Sequence, residues 1–173
     1  MRKGQVWIET VLYTLIGLSI MGVILSLVKP SLDEKRDQIS LNQAIEILEG
    51  INSQVDEVIY TGGGNSRTLE ITMKKGKLSI DGKNDYVVYS AESKYMFSEP
   101  ETEVSVGKIK VFTKERAKKN YLINMSLNYK DLNITFKGED KEKTLQSSST
   151  PYKIVITNVG RIEGYTNIDF SVV

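Results

Sequence analysis

The order of apolar and polar positions divides the chain into three stretches. Thr10 to Val28 is nineteen residues without a charge, TVLYTLIGLSIMGVILSLV, with no polar face at any helical spacing. At about 1.5 Å per residue, a helix of that length nearly spans the roughly 30 Å hydrocarbon core of a bilayer. After Pro30 the pattern becomes amphipathic. Ile45, Leu48, Val55, Val58 and Ile59 fall near helical spacing, joined by Leu41 and Ile51, while Glu46, Glu49, Gln54 and Glu57 take other faces. Pro30 removes the hydrogen bond to the Ser26 carbonyl, and either kinks one helix or precedes a new one capped by Ser31 with Asp33 and Glu34. Both routes predict a near-continuous helix over about 6–60, apolar in its first half and amphipathic in its second.

Gly62-Gly63-Gly64-Asn65 ends that helix, and beyond it the period changes to two. Leu69, Ile71 and Met73 alternate, and Lys74-Lys75-Gly76 reads as a tight turn into Leu78 and Ile80. Asp81-Gly82-Lys83-Asn84 is a hairpin signal leading into DYVVYSA. Further strands are expected over 94–97, 103–112, 120–129, 132–136, 152–158 and 167–172, with TKERAKK, KGEDKEK and SSSTP as exposed loops. The fold class is therefore α+β: a long N-terminal helix followed by an antiparallel head, either sandwich-like or a sheet wrapped on the helix. The amphipathic half of the helix would complete the head's core.

Composition narrows the function classes. The 173 residues carry a net charge of +1, with lysines scattered among acids, so no basic stripe points to nucleic acid. There is no cysteine and no histidine, which removes disulfides, thiolate sites, the commonest general base and the commonest metal ligand. No constellation of Asp, Glu, Lys, Tyr or Ser stands out, and the expectation is a non-enzymatic protein without cofactor. The acids at 99–103 (EPETE) and 139–142 (EDKE) lack the alternating oxygen ligands and glycine of a calcium loop, so no metal is expected. The GGGN stretch follows a helix, where a phosphate loop would precede one.

The N-terminus carries the most specific signal. Arg2 and Lys3 precede the apolar run and favour a cytoplasmic N-terminus, with the bulk of the chain outside. The run exceeds the apolar region of an ordinary secretory signal, and Leu27-Val28-Lys29-Pro30 follows it in place of a small-residue cleavage site. Trp7 suits an interfacial anchor, and Tyr13 lies deeper. One acid, Glu9, interrupts the apolar start. A carboxylate at the edge of hydrocarbon costs several kcal/mol unless it is paired or stays near water. The helix dipole also favours an acid in the first turn, as in a plain signal anchor.

The residues MRKG-QVWIE with the following apolar run resemble the class III signal peptide of archaeal type IV pilin-like proteins. The resemblance implies cleavage between Gly4 and Gln5 by a membrane-embedded prepilin peptidase on the cytoplasmic side. It leaves Gln5 as the new terminus and Glu9 as the fifth residue, where this family commonly has a glutamate. Gln5 and Glu9 fit the Gln-x-Ser-x-Glu version of the pattern, with Trp7 in place of the serine. The implied organisation is a leader over 1–4, a transmembrane and assembly helix over 5–30, an amphipathic helix over 31–60 and an extracytoplasmic β-rich head over 61–173. The implied partners are the membrane, copies of itself or other pilins, the peptidase, and an assembly ATPase with its platform protein. In a bundle of such helices Glu9 would meet the α-amine of a neighbouring Gln5, and together they would set the stagger of a cell-surface filament. The alternative is a non-polymerising single-pass surface protein whose head binds a ligand.

Three further features are weaker. Gly17, Ser19, Gly22 and Ser26 give the apolar helix small-residue patches without a GxxxG spacing. Asn124-Met125-Ser126 and Asn133-Ile134-Thr135 are glycosylation sequons, at Asn124 and Asn133, flanking a Lys130-Asp131 turn.

Overall fold

The computed structural model describes residues 3–162 and 164–173, with side chains from Val6 onward except Glu163. Two compact units are present, Met1–Arg36 and Asp37–Val173. Helix α1, Lys3–Thr61, runs unbroken through Pro30, so no new helix is capped at Ser31. Eight strands follow: β1 Ser66–Asp81, β2 Tyr86–Ser93, β3 Glu103–Val106, β4 Ile109–Ala117, β5 Asn120–Asn128, β6 Leu132–Phe136, β7 Glu142–Ile162 and β8 Tyr165–Val172. They form one curled sheet in the order β3-β4-β5-β2-β1-β7-β8-β6. Every pairing is antiparallel except that of β6 with β8. The α+β class holds, and of the two head arrangements the sequence allowed, the strands take the single sheet wrapped on the helix.

The second half of α1 supplies one side of the core. Leu41, Ala44, Leu48, Ile51, Val55 and Val58 are buried, a stripe spaced alternately three and four residues apart. That spacing keeps one narrow face of the helix against its neighbours. Ile45 is half-buried and Ile59 exposed, so both lie at the margins of the stripe and not in it. Facing residues come from alternate positions of the strands, among them Leu78, Ile80, Val87, Ile123, Met125, Ile154, Ile156 and Phe170. The helix end is tied down by its orphan carbonyls. Gly62, at φ +90°, donates its N–H to the Val58 carbonyl at 3.1 Å, and Asn65 Nδ2 donates to the Thr61 carbonyl at 2.9 Å. Buried Asn158 of β7 donates its Nδ2 to the same Val58 carbonyl at 3.0 Å. Its backbone N–H and carbonyl pair with Asn65 and Gly64, locking the helix exit to the sheet.

The strand bounds depart from the sequence expectation in several places. The first is that β7 begins at Glu142 and takes in the last two residues of the expected KGEDKEK loop, Glu142 and Lys143, paired with Asp81 and Ile80 of β1. Lys74-Lys75-Gly76 does not close a hairpin between Leu69–Met73 and Leu78–Ile80. β1 keeps β7 as its partner on both sides, and the ladder shifts register there. Three residues of β1, 74–76, oppose one of β7 between the Met73–Ser148 and Lys77–Gln146 pairs. On the other side, 149–151 of β7 oppose Thr72 alone. These bulges bend the paired strands together, so SSSTP lies within β7 and not in a loop. The expected strand at 94–97 is a turn, in which Ser93 Oγ accepts the Tyr95 N–H at 2.9 Å. The expected strand at 103–112 is two, β3 and β4, divided at Gly107 with φ +58°. β4 continues through TKERA, leaving only Lys118-Lys119 as the turn into β5. The Asp81–Asn84 hairpin forms as expected, the Asp81 carboxylate accepting the N–H groups of Lys83 and Asn84.

Candidate functional site

The apolar half of α1 is the segment whose chemistry most needs an explanation. Every large apolar side chain from Val6 to Val28 is exposed, Trp7 to 71%. Soluble proteins do not leave a helix uncovered on all sides. Among the described residues one helix is long and apolar enough to cross a membrane, and it contains this stretch. Its hydroxyls suit that environment. Thr10 donates to the Val6 carbonyl, Thr14 to Thr10, Ser19 to Leu15 and Ser26 to Val23, all within 2.7–2.9 Å. These four hydroxyls are thus satisfied inside their own helix, as hydrocarbon requires. Glu9 is exposed and is the one charged residue between Val6 and Val28.

Of the other expected site residues, Arg2 lies outside the described residues, and Lys3, Gly4 and Gln5 are described in backbone only, as helix. The structure therefore places Trp7 and Glu9 in the first turns of α1. The small residues do not form a common patch. Ser19, Gly22 and Ser26 share one face at i, i+3 and i+7, whereas Gly17 faces elsewhere. A Cβ at Gly17 or Gly22 would meet nothing within 4 Å. The sequons sit on ladder strands. Asn124 Oδ1 accepts from Ser90 Oγ at 2.7 Å in the middle of β5. Asn133 Nδ2 donates to Asn167 Oδ1 at 2.5 Å, and Thr135 Oγ1 to Asp169 at 2.7 Å, so both polar ends of the second sequon are engaged in the β6–β8 pair.

A second polar cluster escaped the sequence reading. Asp37, 7% exposed, occupies the next position of the buried helix stripe, four residues before Leu41. Its carboxylate accepts from Lys75 Nζ and, at 2.6 Å, from the backbone N–H of Lys94. The bulge in β1 aims Lys75 at it. Gly76, at φ +81°, passes so close to β2 that a Cβ would stand 2.6 Å from Tyr89 Oη, and Tyr89 in turn donates to the Lys75 carbonyl at 2.8 Å. Burial, and the negative Asp37 beside it, push the Tyr89 hydroxyl up to about 12. Burial and the Asp56 carboxylate raise Tyr129 as well. The helical spacing from Leu41 back to Asp37 was the available signal. An acid in an apolar register position reads as the end of the stripe unless its partners are known.

Among the described residues no group of three or more carboxylates could hold a metal ion. A groove of about 270 Å³ between Gln43, Glu46 and Ile47 of α1 and 69–72 of β1 carries two carboxylates, of which Glu70 pairs with Lys153 at 3.1 Å. That is a solvated surface groove without converging chemistry. The chain matches no protein-family profile, no curated protein and no solved structure.

Proposed function

We propose that this protein is a type IV pilin-like structural subunit, inserted through the apolar half of α1 and assembled into a cell-surface filament. The observation that carries the reading is the exposed apolar helix with a single acid at Glu9, attached to a head whose buried residues all lie between Asp37 and Phe170. The head needs nothing from the apolar segment for its core, so that segment is available first to lipid and then to neighbouring helices. Trimming between Gly4 and Gln5 would remove Arg2 and Lys3 and expose an α-amine four residues before Glu9. Paired with a neighbour's terminus, the Glu9 carboxylate loses its desolvation penalty and fixes the axial offset between copies. A head-to-tail contact repeated without closure builds a filament. The N-terminus would lie on the cytoplasmic side and the head outside it.

Mass spectrometry of the native N-terminus tests the processing step: the expected mature chain begins at Gln5, and one beginning at Met1 overturns it. The completeness of the head's core also suits the second reading, an anchored surface protein that binds a ligand and does not polymerise. Glu9→Leu separates the two. On the pilin reading the variant inserts normally and fails to assemble; on the anchor reading it behaves as the parent does.

A further inference from the structure

The pole of the head from which the chain leaves toward the apolar segment is basic. Asp37 marks that pole, since its carboxylate holds Lys75 of the β1 bulge and the backbone of Lys94 just after β2. The β4–β5 turn lies at the same end: β2 and β5 pair up to Ser93–Tyr121, and the turn residues Lys118 and Lys119 come immediately before. Lys74, Lys75, Lys94, Lys114, Arg116, Lys118 and Lys119 therefore gather there, all but Lys75 exposed. The carboxylates among them are Asp37, Glu92 and Glu115. Asp37 is taken by Lys75, and Glu92 lies 3.5 Å from Arg116. Glu99 and Glu101 border the pole beside Lys114, Glu101 donating its backbone N–H to the Thr113 carbonyl and Ser98 meeting the Thr113 hydroxyl, so seven cations face five carboxylates there. Met96, 45% exposed, stands two residues from Lys94 in the same turn.

Only residues 29–36 separate Val28, the last of the apolar run, from Asp37. That length spans about 14 Å as helix and at most about 30 Å fully extended. Three more cations, Lys29, Lys35 and Arg36, lie within it, with Asp33 and Glu34. Once the apolar segment is inserted, the basic pole is tethered within reach of the headgroups. Each cation held at an anionic surface favours association about fivefold. An exposed methionine flanked by lysines suits the interfacial layer, where its thioether leaves water while the lysine ammoniums stay hydrated.

We infer that this pole, formed by the β1 bulge, the turn at 94–97 and the β4–β5 turn, docks onto anionic lipid headgroups of the bilayer that the apolar segment of α1 crosses. The inference rests on membrane insertion alone and is independent of filament assembly. The test uses the full chain reconstituted in vesicles of phosphatidylcholine, or of phosphatidylcholine and phosphatidylglycerol in equal parts. Lysines are acylated with a membrane-impermeant reagent and read by peptide mass spectrometry. Lys74, Lys118 and Lys119 are expected to react at least about threefold more slowly in the anionic vesicles, and to recover in about 0.5 M salt, where the Debye length falls to about 4 Å. Lys83 and Lys130, in turns at the other ends of β2 and β5, serve as internal references and keep their rates. The triple variant Met96→Ser, Lys118→Gln, Lys119→Asn removes two charges and the apolar contact while respecting the left-handed backbone at Lys119. Its Lys74 is expected to react at nearly the same rate in both lipids. Equal rates at both poles, protection that is the same in phosphatidylcholine, or protection that follows protein density instead of lipid charge would each overturn the inference. Failure of the chain to float with either vesicle would overturn insertion as well.

Discussion

At the residue scale the head is organised around two buried polar anchors at opposite ends of the helix stripe. Asn158 satisfies a carbonyl at the C-terminal end, and Asp37 collects Lys75 and the Lys94 backbone at the other. Buried polar groups are tolerated when paired, and each lost bond leaves its partner unsatisfied at about 1–3 kcal/mol. Tyr89 belongs to the Asp37 anchor and gives it a pH signature. Its hydroxyl is raised from 10 to about 12, so the protonated form is favoured in the folded state. The contribution is fully present below pH 10 and is lost as pH rises through about 12. Over that window stability should fall by up to about 1.4 kcal/mol per pH unit for each such tyrosine, Tyr129 adding to the slope. Urea midpoints measured between pH 9 and 12 check this. Tyr89→Phe should begin less stable, because the Lys75 carbonyl loses its donor, and should show a shallower decline. An unchanged slope would mean that Tyr89 ionises without cost. None of this was legible beforehand, since Tyr89 reads as one more apolar position of a β-strand until its hydroxyl partner is seen.

Elements were legible to the extent that their patterning is local. The helix with its apolar and amphipathic halves, the GGGN stop, the Asp81–Asn84 hairpin and β6 follow directly from period and turn chemistry. What failed was the reading of irregular segments. Lys74-Lys75-Gly76 has hairpin composition, yet its neighbours pair with β7, a strand some seventy residues away, and composition carries no information about that partner. SSSTP is polar and contains proline, and it is strand only because the bulge opposite needs it to be. The turn at 94–97 is apolar because Tyr95 and Phe97 pack on the core, not because they alternate in a ladder. The bulge should be among the least tolerant sites in the head. Gly76→Ala must hold φ near +81° and seat a Cβ 2.6–2.7 Å from Tyr89 Oη and the Ser90 carbonyl, which should cost about 3 kcal/mol or more. Gly107→Ala, also in the left-handed region but with nothing within 4 Å, should cost only about 1–2 kcal/mol. Thermal melts of the two variants give the comparison. A larger loss at Gly107 would show that backbone strain, and not the close approach to β2, governs the bulge.

For the whole molecule, the division into 1–36 and 37–173 predicts separable behaviour. Every buried apolar side chain among the described residues belongs to 41–170, and the anchors Asp37 and Asn158 lie within the same unit. The amphipathic half of α1 contributes six buried side chains to that core, so the head boundary cannot be placed at the Gly62 stop, although composition alone draws it there. A chain beginning at Ser31 keeps the helical turn before Asp37, loses the uncovered apolar segment and retains every core residue. It should be soluble without detergent and unfold in one cooperative transition, as single domains of this size do. A chain beginning at Gly62 loses Leu41, Ala44, Leu48, Ile51, Val55 and Val58, at roughly 2–5 kcal/mol for each large side chain removed from a packed core. For the five large side chains that loss comes to about 10–25 kcal/mol, enough to match or exceed the roughly 5–15 kcal/mol stability of an ordinary domain, and the sheet should not fold. Circular dichroism and urea titration of the two fragments decide the matter. A folded sheet without 31–61 would detach the helix from the head and make α1 an anchor along its whole length.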